Sequence, residues 1–270
     1  MLLVLLLMIG LVGGMLGSLV GLGGGIIIVP ALLFIGTYTN LLPSITPQFA
    51  VGTSMFILIV TGLSSTIAYM KQKTVYFKAG IIFFIGSGPG ALVGALVNKE
   101  IELNQFYICF GIFVIFISIL LSVQKYIKPK TNQVGSVHIF EDKQGIKHTL
   151  YFQPVLAVVI AFIVGVLSGL FGIGGGSLMV PTMLLLFRFP ASIAVATSMF
   201  MVFLSSIIGS ITHIQLGNVD WLWILGLAPG AWIGAKLGAY INGRLKDGTV
   251  VVILRLVLVV VGIRLVFQGL

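Results

Sequence analysis

Eight apolar runs, each long enough to cross a lipid bilayer, set the terms for this chain: residues 2–20, 48–70, 78–98, 104–124, 153–171, 191–213, 220–242 and 249–268. A helix of about 20 apolar residues spans the hydrocarbon core. The runs therefore read as transmembrane helices and the chain as an all-α integral membrane protein. Water is no alternative solvent: 59% of the 270 residues are hydrophobic and 8% charged. No water-soluble domain of this length buries that much apolar surface. The opening MLLVLLLMIGLVGG has no basic stretch before it and no small-residue cleavage site after it. It is expected to be a first transmembrane helix, not a signal peptide.

The one long polar stretch is Gln124–Gln153, with Lys125, Lys128, Lys130, Glu141, Asp142, Lys143 and Lys147. It reads as a linker, 124–153, between a first repeat, 1–123, and a second, 154–270. The repeats are copies. GLGGGIIIVP from Gly21 matches GIGGGSLMVP from Gly172, AVGTSMF at Ala50 matches AVATSMF at Ala194, and GPGALVGA at Gly88 matches APGAWIGA at Ala228. Loop charges swap between the copies. Lys71, Lys73 and Lys78 make one loop basic, and its counterpart at Gln215–Asp220 has no Lys or Arg. The loop near Lys99–Glu102 is net acidic, and its counterpart carries Arg244 and Lys246. The uncharged Thr37–Thr46 is matched by a loop with Arg188. The positive-inside rule then puts 71–78, the linker, 188–190 and 243–248 in the cytoplasm. The repeats are expected to be inverted in a multi-pass cell (plasma) membrane protein with both termini outside. Each would hold about four spanning helices plus a short broken or re-entrant one, 26–36 or 177–187. Eleven helical residues rise only about 16 Å, near half the core.

Both short pieces follow three consecutive glycines, in VGLGGGIIIVP (Val20–Pro30) and FGIGGGSLMVP (Phe171–Pro181). One reading is packing: Gly13, Gly17, Gly21 and Gly25 lie four apart on a ridge where helices approach closely. That explains Gly17 and Gly21 but not a triplet, whose members point around a helix. Adjacent glycines weaken a helix by about 1 kcal/mol each relative to alanine and permit positive φ. The expectation is a break near Leu22 and a new helix near Ile26, with Pro30 and Pro181 early in the new helices. Gly23, Gly24, Gly25, Gly174, Gly175 and Gly176 would then offer N–H groups at a positive helix end, an anion site lining a cavity at membrane depth. Thr53, Ser54, Thr197 and Ser198, in the second matched block, add hydroxyl donors. Their alternative is helix–helix hydrogen bonding or back-bonding to the i−4 carbonyl. No strand precedes the glycines and no Lys-Ser/Thr follows, against a nucleotide loop.

Duplicated GxGGG…VP blocks, each followed by A-x-x-TS-M-F and then PG-A-x-x-G-A, resemble the sulfite exporter TauE/SafE family over nearly the whole chain outside the linker. The resemblance implies a plasma-membrane carrier of sulfite, thiosulfate or organosulfonates such as sulfoacetate.

The charged residues narrow the chemistry. All six acids lie in loops or at helix ends, against a cation cage, a carboxylate proton relay or an aspartyl protease. There is no H-E-x-x-H, and Cys109 is the single cysteine, against zinc hydrolase and multi-cysteine metal chemistry. No catalytic residue, metal or cofactor is expected, and the chain reads as a non-enzyme. The net charge of +9 belongs to cytoplasmic loops, with no clustered face for nucleic acid. Lys236 and Arg264 are expected to snorkel to an interface, and Arg255 is a candidate near the anion path. The expected partners are a small anion and the bilayer, with homo-oligomers left open. The leading reading is a secondary transporter of a small sulfur anion. The alternatives are an uncoupled anion channel and a non-transport assembly protein.

Overall fold

The computed structural model describes residues 2–38, 45–123, 136–141, 147–187 and 189–244, and near the C-terminus 259, 262–263, 265–267 and 269. In chain order the elements are α1 (Leu2–Val20), α2 (Gly25–Tyr38), α3 (Pro47–Lys71), α4 (Phe77–Asn98), α5 (Leu103–Val123), β1 (Ser136–Glu141), β2 (Lys147–Phe152), α6 (Pro154–Phe171), α7 (Gly176–Leu185), α8 (Ala191–Gln215) and α9 (Trp221–Asn242). Among the described residues, 7 helices are long and apolar enough to cross a membrane, and α2 and α7 are the short ones. The run at 249–268 falls largely outside the described residues, Arg255 and Arg264 included, as does Arg188. The membrane body is all-helical. Within the linker, however, β1 and β2 form an antiparallel ribbon pairing Ser136 with Phe152 and Glu141 with Lys147. The sequence of β2, KHTLYF, shows no apolar–polar alternation, so nothing in it signals a ribbon.

Local chemistry sets the helix ends. Thr46 caps α3 by accepting from the Phe49 N–H, with Pro47 in the first turn. The Asp220 carboxylate accepts from the N–H groups of Leu222 and Trp223 and starts α9. Pro30 and Pro181 sit further in than expected, in the second turns of α2 and α7. The ring of Phe171, at the end of α6, stacks on Phe110 and Phe113 and so ties α5 to that end.

The packing pattern is two-fold. In α1, Gly10 and Gly14 lie against the backbone of Leu227 and Ala231. In α9, Gly230, Gly234 and Gly238 lie against the backbone of Leu7, Leu11 and Met15. Residue numbers rise together, so α1 and α9 run parallel at backbone contact. The same holds for α4 on α6: Gly86, Gly90 and Gly94 meet Val158, Phe162 and Val166, and Gly165 and Gly169 meet Ser87 and Ala91. Small residues permit this approach, and any side chain would meet a carbonyl. At the centre α3 crosses α8. There Gly52 meets His213, Met55 meets Gly209 and Gly62 meets Phe203, so these two helices run antiparallel. Exchanging α1 with α6, α3 with α8 and α4 with α9 maps the α1–α9 contacts onto those of α6 with α4 and the α3–α8 pair onto itself. The first helix of each copy thus packs on the last matched helix of the other.

This register corrects the third sequence match. GPGALVGA against APGAWIGA pairs Gly90 with Gly230. By their contacts, Gly86, Gly90 and Gly94 instead take the places of Gly230, Gly234 and Gly238. A small-residue ridge repeats every fourth residue, so it aligns with itself after a shift of one turn. The counterpart of Lys236 is therefore Leu92, where the sequence match would have given Leu96.

Candidate functional site

The triple glycines do break the helix. Gly21, Gly23 and Gly24 have φ of 79°, 87° and 100°, left-handed values that residues with a Cβ rarely adopt. The chain reverses there, and α2 returns along α1, with Gly24 backed against Gly17 and Ile28 against Gly13. In the second copy Gly172 and Gly174 have φ of 66° and 77°, whereas Gly175 has an ordinary helical φ of −58°. The third glycine therefore has different work in the two copies.

The two breaks meet inside the protein. Gly25 lies on the carbonyl of Gly172, and Gly176 on the carbonyl of Gly21. Gly23 and Gly174 both face Leu58 and Val202, corresponding residues at the middle of α3 and α8. All six triplet glycines are buried. The N–H groups of Gly24, Gly25 and Ile26 open α2, and those of Gly175 and Gly176 open α7. Among the described residues none of these donates to a backbone carbonyl. Two helix N-termini with free donors thus abut one seam, the arrangement that favours a bound anion.

The four hydroxyl residues are all buried and all reach across to the other copy. The Ser54 hydroxyl donates to the Gly172 carbonyl at 2.7 Å. The Ser198 hydroxyl donates to the Gly21 carbonyl at 3.0 Å and to its own helix at Val195. These serines join the glycines at the seam. The threonines are turned elsewhere. Thr53 Oγ1 accepts from the Asp220 N–H at 3.4 Å, at the start of α9. Thr197 Oγ1 accepts from the Tyr76 N–H at 3.1 Å, at the start of α4. In this state the serine protons are committed to carbonyls, which is the helix–helix alternative raised from the sequence.

The sequence reading missed the residues that close the broken ends. A helix C-terminus leaves carbonyls without partners, and in a membrane body no water serves them. At the end of α1, Ser18 O accepts from the Tyr69 hydroxyl at 2.9 Å, Leu19 O from Asn242 Nδ2 at 2.6 Å, and Gly21 O from Ser198. At the end of α6, Gly169 O faces His213 Nε2 at 3.4 Å, Leu170 O accepts from Asn98 Nδ2 at 2.8 Å, and Gly172 O from Ser54. The sets correspond member by member, with Tyr69 exchanged for His213. The available signal was Asn as the last residue of both α4 and α9. Among the described residues no three His, Cys, Asp or Glu side chains gather where a metal could sit, and none of the seam residues named above carries a charge.

The family described as "Sulfite exporter TauE/SafE" matches residues 6–265. Among similar proteins, the probable membrane transporter protein YunE of Bacillus subtilis is 52% identical over 98% of this chain and 98% of its own. A probable membrane transporter protein of Methanocaldococcus jannaschii is 32% identical over 97% of this chain and 95% of its own. No solved structure matches.

Proposed function

Because this chain belongs to the sulfite exporter TauE/SafE family and is a membrane transporter of that family, we propose that it carries a small sulfur oxyanion or organosulfonate, such as sulfite, thiosulfate or sulfoacetate. The carrying observation is the meeting of the two glycine breaks, each at the N-terminus of a short helix, at mid-height of α3 and α8. Discontinuous helices at matching places in repeated halves mark the binding sites of secondary transporters. The substrate site is the seam at Gly23, Gly24, Gly25, Gly174, Gly175 and Gly176, with Ser54 and Ser198 beside it and Thr53 and Thr197 behind. When the halves part, the serine hydroxyls leave the carbonyls of Gly172 and Gly21 and turn to the anion. The antiparallel run of the matched helices α3 and α8 supports inverted repeats, residues 1–123 and 154–270, that rock about this seam. The basic loops support a plasma-membrane orientation with the linker 124–153 inside and both termini outside.

The test is uptake and counterflow in proteoliposomes with sulfite, thiosulfate, sulfate, sulfoacetate and taurine. Saturable uptake of one or two sulfur anions, accelerated by the same anion on the opposite side, is expected. Flux linear in the gradient without counterflow would mean an uncoupled channel. No flux from folded protein would refute the substrate class.

A further inference from the structure

The two-fold pattern of carbonyl caps departs from itself at one member. Where Tyr69 closes the end of α1 with a hydrogen bond of 2.9 Å, His213 stands at 3.4 Å from the matching carbonyl, Gly169, at the end of α6. For that contact Nε2 carries the proton, which leaves Nδ1 bare. Nδ1 is enclosed with no hydrogen-bond partner, and the His213 side chain is fully buried. Asn98, which caps the very next carbonyl, likewise keeps an enclosed Oδ1 without a partner. If the cap alone mattered, a tyrosine or glutamine would donate to Gly169 and leave no bare ring nitrogen. Histidine adds a group that exchanges a proton near neutral pH, and ionisable groups inside a membrane body are costly and mark function.

Among the described residues, the elements packed around His213 present no other titratable group that could do this. On α3, Gly52 lies against the ring's Cβ, and one turn earlier Gln48 bonds the carbonyls of Asn98 and Ile101. α6 carries no titratable side chain. In the α8–α9 turn, the Asn218 N–H bonds the His213 carbonyl, and the Asp220 carboxylate is held by the first turn of α9. Beyond Asn98, Lys99 and Glu100 pair with each other on the exposed surface. Gln215 and Gly217, at the end of α8, are exposed about one turn from His213, so the enclosed ring lies near the end of its helix.

We infer that His213 binds a proton in the transport cycle and so couples anion movement to proton movement; this rests on the alternating-access reading above. In the closed state seen here the ring is neutral, with one N–H and one acceptor. When the end of α8 parts from α6, the Nδ1 lone pair takes a proton from hydronium on the side of the α8–α9 turn and returns water. The new N–H needs an acceptor, and Asn98 Oδ1 is the unpartnered one in the same capped turn. When the seam opens to the other side, the ring gives the proton to water there and then closes again in its neutral form.

The experiment uses proteoliposomes loaded with a pH-reporting dye, the membrane potential clamped, and thiosulfate as probe, since it remains a dianion and brings no proton itself. Wild type should accumulate thiosulfate several-fold when an acid-outside gradient is imposed, with a matching dye signal. His213→Gln keeps a donor for the Gly169 carbonyl but cannot titrate. It should keep counterflow at equal pH within about twofold and lose the gradient-driven accumulation. His213→Tyr, which installs the residue of the matching cap, should behave likewise. Accumulation retained by either variant would overturn the inference. So would wild type that shows counterflow yet gives no dye signal when thiosulfate moves net down its own gradient, a readout that needs no variant to fold. Absence of counterflow for thiosulfate, sulfate and sulfoacetate alike in wild type would instead overturn the transport reading on which the inference stands.

Discussion

Gly24 and Gly175 occupy the same place in the repeated motif, yet alanine should damage the first and leave the second nearly unchanged. Gly24 has φ +100°, and an added Cβ would sit 2.6 Å from the carbonyl oxygen of Gly13. The left-handed backbone costs about 1–2 kcal/mol for a residue with a Cβ. Overpacking against backbone that cannot rotate away adds about 1–3 kcal/mol. Gly24→Ala should therefore lose about 2–5 kcal/mol. Gly175 has a helical φ of −58°, and its added Cβ would meet Val164 Cγ1 at 3.0 Å and Met201 Cε at 3.1 Å. The methionine end can move, and at a φ that alanine adopts without strain the substitution gains about 0.4–1 kcal/mol by restricting the unfolded chain, set against a small loss at this helix-capping position. Gly175→Ala should stay within about 1 kcal/mol of wild type. Thermal unfolding in detergent, followed by tryptophan fluorescence, reads the difference, and thiosulfate uptake shows whether function tracks it. Equal losses at the two positions would refute the reasoning, because they would mean that the motif, not the local φ and contacts, decides.

Three further outcomes follow from the same contacts. Ser54→Ala and Ser198→Ala each leave a buried carbonyl without its cross-repeat donor, at a cost of about 1–3 kcal/mol; an unchanged unfolding midpoint in both would show that these two hydrogen bonds do not hold the repeats together. Asn98→Leu and Asn242→Leu should each destabilise by a similar amount, about 1–3 kcal/mol, while expression with no loss of midpoint would show that the ends of α6 and α1 are closed by something else. In a Cys109→Ala background, a membrane-impermeant maleimide applied to whole cells should label Asn218→Cys and spare Lys73→Cys and Arg244→Cys; labelling of all three, or the reverse pattern, would contradict the orientation drawn from the loop charges.

Much of the membrane body was legible because apolar run length and glycine triplets are local signals. The spans at α1, α3, α4, α5, α6, α8 and α9 lie where the runs predicted them, as do the short helices α2 and α7. What was hidden is non-local. Nothing around Ser54 says that its hydroxyl will reach Gly172, 118 positions away. A terminal Asn such as Asn98 looks like any polar helix end until Leu170 O is seen beside it. Gly175 looks identical to Gly24 in sequence, and only the backbone separates them. The ridge in α9 could be set against α4 in two registers, and contacts with α1 and α6 select between them. The interleaving of the copies leaves no mark in either copy alone.

The central claim is that the anion passes through the seam flanked by Leu58 and Val202, both fully buried here. It is tested most directly by single cysteines at these two positions, again without Cys109, treated with a membrane-permeant maleimide. Leu225→Cys, on the lipid-facing side of α9 where Leu225 is exposed, serves as the reference. The account predicts that Leu58→Cys and Val202→Cys react as the seam opens during turnover, and that saturating sulfoacetate or sulfate, whichever the protein carries, slows both several-fold while Leu225→Cys is unaffected. Reaction at Leu58→Cys and Val202→Cys that no transported anion slows would place the pathway elsewhere and contradict the account.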